Sequence, residues 1–205
     1  MNMKLYNSVG PNPRVVRVFM AELGVSCDVE EIDILKGDNR QDAYLTVNPG
    51  AGLPALALDD GSVIAEITAI CEYFADQAGG SSLIGETPEE RAETRMWVRR
   101  IDLNIVEPLT NGFRAAEGYP MFKDRMRTFP QAADDLKTLA QEKLTWLDEQ
   151  IAGRSFVCGE RFSLADILLC VFLEFGATVG QPINENNKSV QAILERVQSR
   201  SSMSA

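Results

Sequence analysis

The 205-residue chain contains no histidine. That removes the commonest general base and metal ligand, so any catalysis here must use another group or a bound molecule's own chemistry. Cysteine is scarce as well: Cys27, Cys71, Cys158 and Cys170 stand far apart, with no Cys-x-x-Cys pair. A zinc site and a disulfide framework are therefore not expected, and the thiols should be reduced and mostly buried. Basic residues are outnumbered, 20 against 30 acidic ones, for a formal charge of −10. They are dispersed along the chain, so a phosphate-rich surface repels it, and neither nucleic acid nor an anionic membrane is an expected partner. No apolar run approaches the length of a membrane span. The N-terminus leads directly into the strand-like Met3-Lys4-Leu5-Tyr6 without a signal-peptide core, and a cytoplasmic location is expected. What the chain does have is 45% hydrophobic residues, enough to bury one large core or two small ones.

The element pattern divides the chain. Residues 1–78 alternate in type: a strand over 3–7, a helix over about 13–23, a strand over about 28–34, a short helix over about 40–46, strands near 55–58 and 62–65, and a helix over 66–78. That order gives a small mixed sheet covered by helices, a thioredoxin-like α/β outline. Residues 79–87, rich in Gly and Ser, read as a linker. From 88 to 205 the periodicity is all helical. Thr87-Pro88-Glu89-Glu90 supplies a cap, a first-turn proline and acidic first-turn residues, with Pro108 expected to bend or break the helix that follows. A second long helix over about 130–151 shows an apolar stripe of Leu136, Leu139, Ala140, Leu144, Leu147 and Ile151, and helices near 163–178 and 187–199 complete an all-α bundle. Ser163 and Asp166 have the spacing of a capping box, with Phe162 and Ile167 placed as its hydrophobic staple; this is a folding signal. The Ser-rich tail from Ser199 is expected to fray.

The stretch with chemical potential is Asn48-Pro49-Gly50-Ala51-Gly52-Leu53-Pro54-Ala55-Leu56. Pro49 and Pro54 each lack a backbone donor, Gly50 and Gly52 permit tight turning, and the apolar run that follows suits an edge strand. Leu53-Pro54 is a candidate cis peptide, with the Leu53 amide and carbonyl expected to be free for an extended peptide ligand. After the turn Asp59-Asp60-Gly61-Ser62, a helix beginning near Glu66 offers free amides to a carboxylate.

Taken in order, Asn48-Pro49 with Leu53-Pro54, Glu66-x-x-Ala69-Ile70 with Tyr73, and Phe162-Ser163-Leu164-Ala165-Asp166-Ile167 resemble the cytosolic glutathione transferase family over nearly the whole chain. The opening from Leu5 to Arg17 is similar to its bacterial and fungal branch, that of the atypical yeast enzymes. The resemblance implies a thioredoxin-like domain that holds glutathione as co-substrate, a helical domain that supplies most of the second-substrate pocket, a homodimer, and a detoxifying transferase acting on an electrophilic small molecule. It further implies Leu53 as a backbone partner of glutathione, Pro54 acting by geometry, Glu66 for the γ-glutamyl ammonium, and Ile67 through its amide. The glycyl carboxylate falls to Arg40 or Arg14. Phe113 is a candidate lining residue of the second-substrate pocket, with Trp97, Ile101, Ile105 and Tyr119 equally able to be bundle core.

Members of this family usually activate the sulfur with a tyrosine or serine hydroxyl, or bond it to a cysteine, just after the first strand. Here the candidates are Ser8, Asn12 and the amides opening the helix near Pro13; a donor at the sulfur raises the thiolate fraction of a thiol whose pKa is about 8.5. The serine or cysteine position of several classes falls on Asn12, and Ser8 lies closer to the strand, so Asn12 is preferred. Asn12 is also placed to cap a helix that opens with Pro13. Two departures stand out. Glu66-Ile67 replaces the family's acidic-Ser pair, which keeps the amide and loses a hydroxyl worth about 0.5–3 kcal/mol. Phe113-Arg114-Ala115-Ala116-Glu117 lacks the histidines of close relatives. A non-catalytic binding protein of the same fold and a glutathione-dependent disulfide reductase are the alternative readings.

Overall fold

The structure is a computed structural model that describes residues 3–205. The described chain forms two compact units, one of the residues up to Ser81 together with Ser202–Ala205, the other of Ser82–Ser201.

In the first unit, β1 (Lys4–Asn7), α1 (Pro11–Leu23) and β2 (Asp28–Glu31) make a parallel crossover. A 3-10 turn (Asp38–Arg40) and α2 (Asp42–Leu45) follow, then β3 (Ala55–Ala57), β4 (Val63–Ala65) and α3 (Ile67–Gln77). The sheet runs β2–β1–β3–β4, with both later pairings antiparallel. Strand alternation sends Leu5 and Asn7 to one face, where both are buried, and Lys4 and Tyr6 to the other. On that second face the Tyr6 ring meets Tyr44 of α2 edge-on at 5.8 Å. The β3–β4 turn is held by Asp60, whose Oδ1 accepts from the Ser62 amide at 2.8 Å and its hydroxyl at 2.6 Å, while Gly61 takes the φ of 82° that a side chain would resist.

The second unit contains α4 (Pro88–Ile101), α5 (Glu107–Ala115), α6 (Tyr119–Phe122), α7 (Ala133–Gln150), α8 (Leu164–Thr178) and α9 (Lys188–Gln198). Helix α8 is buried continuously from Leu164 to Leu173 and forms the axis of the core, with α4 and α9 packed on it. Both capping boxes are formed. Thr87 Oγ1 accepts from the Glu90 amide at 3.2 Å. Asp166 Oδ2 accepts from the Ser163 amide and hydroxyl, both at 2.9 Å, while its Oδ1 accepts from the Val157 amide at 2.7 Å.

Several expectations are corrected. Pro108 neither breaks nor ends its helix: a π turn over Asp102–Val106 joins α4 to α5, with Glu107 N–H bonded to Asp102. The wider turn accommodates a ring that has no N–H to give to the preceding turn. Leu139, expected in the α7 stripe, is 41% exposed, because the buried row runs through Ala140, Leu144, Leu147 and Ile151, about 100° further round. The Ser-rich tail is ordered: Ser201–Ser204 form a 3-10 turn in which Ser202 and Met203 are buried. The Ser202 hydroxyl bonds to Glu22, and Arg14 Nη2 donates to the Met203 carbonyl at 3.0 Å. No helix among the described residues is long and apolar enough to cross a membrane.

Candidate functional site

The loop from Asn48 to Leu53 is fixed from within. Asn48 is buried, its Oδ1 accepts from the Gly50 amide at 3.0 Å, and its Nδ2 donates to the Gly52 carbonyl at 2.9 Å. The Tyr44 hydroxyl donates to the same Gly52 carbonyl at 2.6 Å, and Asn39 Nδ2 donates to Ala51 at 2.8 Å. Burial pushes the Tyr44 phenol up to about 12, which keeps it a donor at any physiological pH. Three side chains therefore hold a loop that would otherwise carry the entropy of two glycines. None of the three was singled out from the sequence for this role. Asn48 carried the available signal, since an Asn before Pro-Gly favours a side-chain-closed turn.

The Leu53-Pro54 peptide is cis. Leu53 is 8% exposed, and among the described residues neither its amide nor its carbonyl has a hydrogen-bond partner. A buried residue with both main-chain groups unspent is a place where an extended peptide can complete the pairing.

Glu66 caps α3 at φ 73° and ψ 122°, a positive φ that costs a non-glycine residue about 1–3 kcal/mol. The turn it makes leaves the amides of Ile67, Thr68 and Ala69 without partners among the described residues; the first bond of the helix runs from Ile70 to Glu66 at 3.0 Å. Three free donors at a positive helix end suit a carboxylate. The Ile67 side chain is half-buried and supplies no hydroxyl.

The mouth of α1 differs from the expected one. Gly10, at φ 113°, is the cap, and Pro11 rather than Pro13 is the first helical residue. Asn12 is thus inside the first turn, flanked by two prolines that have no N–H to offer. It is the one residue of positions 11–13 that carries a donor, and it carries two kinds, a backbone amide and a side-chain amide. Asn12 is half-buried, and its side chain has no partner among the described residues. Ser8 stands otherwise. It is 2% exposed, its Oγ donates to the Ile32 carbonyl at 2.6 Å and accepts from the Ile34 amide at 3.4 Å. A hydroxyl has one proton, and here it is spent on joining β1 to the segment after β2. In this structure the Ser8 hydroxyl thus braces β1 against the segment after β2. Below it, Arg17 Nη1 donates to Asn7 Oδ1 at 2.8 Å and Asn7 Nδ2 donates to Glu31 Oε1 at 2.6 Å, a network that ties α1 to the strands. Burial holds the Arg17 pKa below its ordinary value.

Of the arginines, Arg14 is engaged by the Met203 carbonyl, and Arg40 is exposed at the end of its 3-10 turn. In the second unit Phe113 packs edge-on against Phe175 at 5.2 Å and Phe122 at 6.0 Å. A Cβ on Gly118 would come within 2.8 Å of the Phe113 ring, so the ring lies flush on the backbone there. Trp97, Ile101 and Ile105 are buried core, and Tyr119 is exposed.

Comparison with known proteins assigns both units. The model of the glutathione S-transferase N-terminal domain matches residues 9–77, and that of the glutathione S-transferase C-terminal domain matches residues 97–201. The chain is 31% identical over 206 residues to glutathione S-transferase 2 of Saccharomyces cerevisiae, covering 98% of this chain and 88% of that one. The crystal structure of Gtt2 from the same yeast superposes with a TM-score of 0.92 at 29% identity, covering 98% of each chain. A glutathione S-transferase domain-containing protein of Marinobacter aquaeolei superposes with a TM-score of 0.91 at 31% identity, covering 98% of this chain and 99% of that one.

Proposed function

We propose, from the premise that the chain belongs to the glutathione S-transferase family and so uses glutathione as co-substrate, that Asn12 is the group that stabilises the glutathione thiolate. The observation that carries this reading is the Pro11-Asn12-Pro13 opening of α1, in which Asn12 alone has donors and its side-chain amide has no partner among the described residues. In a chain without histidine no imidazole takes the thiol proton, and Asn12 Nδ2 with the positive end of α1 favours the thiolate left when the proton departs.

The rest of the tripeptide follows from the donors in place. The free amide and carbonyl of Leu53 suit the cysteinyl main chain, with Pro54 shaping the turn. The amides opening α3, that of Ile67 first, suit the γ-glutamyl carboxylate, and the exposed Glu66 carboxylate suits its ammonium. Arg40, exposed at the end of its 3-10 turn, or Arg14 serves the glycyl carboxylate. The protein then needs only to bind, orient and stabilise, because glutathione brings the nucleophile. The second substrate is an apolar electrophile taken near Phe113, and the product is a detoxified conjugate.

The same reading makes the protein a cytoplasmic homodimer, built from the first unit of one subunit and the α4–α5 region of its partner. Supporting it are uncovered apolar side chains: Val63 on the edge strand β4, 36% exposed, and Met96 and Leu103, 40% and 46% exposed and seven residues apart. Light scattering at micromolar concentration is expected to give twice the mass of one chain, and a monomer would count against the arrangement.

The test of function is retention on immobilised glutathione followed by a conjugation assay with an aryl halide. Retention with conjugation supports the transferase. Retention without conjugation favours the non-catalytic binding protein, and retention with turnover of a mixed disulfide favours the reductase.

A further inference from the structure

On the face of the sheet that carries Tyr6 there is a cavity of about 300 Å³ in the first unit, and none of Asn12, Leu53, Glu66 or Ile67 lines it. Its lining is mostly aromatic and aliphatic, from Tyr6, Tyr44, Ile32, Ala43 and Val47, with Gln41 and the carboxylates of Glu30 and Asp38 as its polar part. The size lies at the lower end of small-molecule sites. The rings are held in place: Tyr44 is tied through its hydroxyl to Gly52 at 2.6 Å and meets Tyr6 edge-on at 5.8 Å.

The structure shows what this arrangement attracts. The Lys4 ammonium lies 2.9 Å from Glu30 Oε2 and 5.9 Å from the centre of the Tyr6 ring, a carboxylate and an aromatic face sharing one cation. Lys4 is thus an internal example of the cavity's preferred group. The Asp38 carboxylate, also lining the cavity, accepts no hydrogen bond among the described residues and feels only the field of Lys36; the Tyr6 hydroxyl has no hydrogen-bond partner among them either. The other nearby cation is taken: Lys36 pairs with Asp33 at 3.0 Å. A ligand therefore meets one carboxylate without a hydrogen-bonded partner, a second held by an exposed lysine, a phenol acceptor and a mostly apolar lining.

We infer that this cavity is a second binding site, separate from the glutathione site, for a small organic ammonium with an apolar stem. The stem fills the space between Tyr44, Ile32 and Val47, and the charged head lies at Asp38 and Glu30 against the Tyr6 face. Anionic ligands are disfavoured by both carboxylates and by the net charge of −10. The inference does not rest on the transferase reading, and either can fail without the other.

The test is titration of the full-length protein with 4-phenylbutylammonium, followed by amide chemical shifts. Saturable shifts confined to Tyr6, Ile32, Tyr44 and Val47 are expected. The neutral 4-phenylbutanol should bind about tenfold more weakly, and 4-phenylbutyrate should give no saturable shift. Nα-acetyl-lysine N-methylamide, which carries the ammonium on the same four-carbon stem but ends in two amides instead of a phenyl ring, should bind more weakly than the phenylbutyl compound; equal or tighter binding would overturn the assignment to a free apolar amine. Glu30→Gln with Asp38→Asn should weaken binding about tenfold, and Val47→Trp should abolish it with glutathione conjugation unchanged. Lys4→Met removes the internal competitor and should tighten binding several-fold, a gain that misfolding cannot mimic. Equal affinities for the ammonium and the alcohol, or no change in affinity in both the Glu30/Asp38 and Lys4 variants, would overturn the site.

Discussion

The Ser8 hydroxyl donates its proton to the Ile32 carbonyl at 2.6 Å, on the segment that follows the neighbouring strand. The hydroxyl nearest the family's usual position is therefore committed to the fold, and Asn12, four residues on and flanked by prolines, is left with the free donor.

Asn12→Ala should accordingly raise the pKa of bound glutathione and lower turnover about tenfold or more, with a smaller effect on the KM for glutathione. Ser8→Ala should leave the thiol pKa in place and lower stability by about 1 kcal/mol, the loss of the hydrogen bond to the half-buried Ile32 carbonyl. Ultraviolet titration of the bound thiolate and urea unfolding of both variants separate the two roles. A thiol pKa that moves in Ser8→Ala and not in Asn12→Ala would reverse the assignment.

Asn48 supports the Leu53 handle without facing a ligand in this scheme, since both ends of its side chain are used by Gly50 and Gly52. Asn48→Ala should cost about 1–3 kcal/mol in unfolding free energy and raise the KM for glutathione more than it lowers kcat, because the loop must be ordered on binding. Tyr44→Phe should cost less, about 1 kcal/mol, since Asn48 still serves the Gly52 carbonyl. If Asn48→Ala leaves the KM unchanged, the loop does not position the co-substrate.

What the sequence made legible was local. Each capping box lies within four residues, so Thr87 to Glu90 and Ser163 to Asp166 announce their helices and both are formed. The outline of a small mixed α/β sheet followed by an all-helical part likewise came from short-range periodicity. The start of α1 was misplaced because its cap is Gly10, which has no side chain to signal the role. The remaining misses are long-range. Ser8 finds its acceptor 24 residues away, and Arg14 is claimed by Met203 at a separation of 189 residues, which no window of sequence can anticipate. The continuity through Pro108 depends on a π turn, for which the residues 102–106 carry no clear pattern.

Asp166 is fully buried, and desolvation raises its pKa to about 6 despite the hydrogen bonds from Val157 and Ser163 that oppose the shift. Below about pH 4 the group is protonated in the folded and unfolded chains alike. Between about pH 4 and 6 the folded state keeps a proton that the unfolded state has released, so the contribution of this group to stability declines as pH rises through that window and is constant above it. The Asp166 carboxyl should titrate near 6 by carbon-detected NMR. The unfolding free energy of the native protein relative to Asp166→Asn should fall by on the order of 2–3 kcal/mol between pH 4 and 7. A midpoint near the ordinary carboxylate value, with no pH dependence of that difference, would mean that the three hydrogen bonds outweigh burial.

The substitution with the clearest direction is Ile67→Ser. The backbone at Glu66 is already held at φ 73°, and the amides of Ile67, Thr68 and Ala69 have no partner among the described residues, as the proposed carboxylate site requires. A serine at this position adds a hydroxyl donor at the first residue of α3 without altering the turn, in place of a half-buried apolar side chain. One added hydrogen bond to a charged partner is worth about 1.5–3 kcal/mol at best, less what water already supplies, so a drop of about 3- to 30-fold in the KM for glutathione is expected. The rate constant should change little, because the γ-glutamyl carboxylate is held equally in the ground and transition states. Steady-state kinetics with glutathione as the varied substrate give both numbers. A lower kcat with an unchanged KM would mean that the α3 amides do not hold this carboxylate, and that the isoleucine serves the packing of α3 alone.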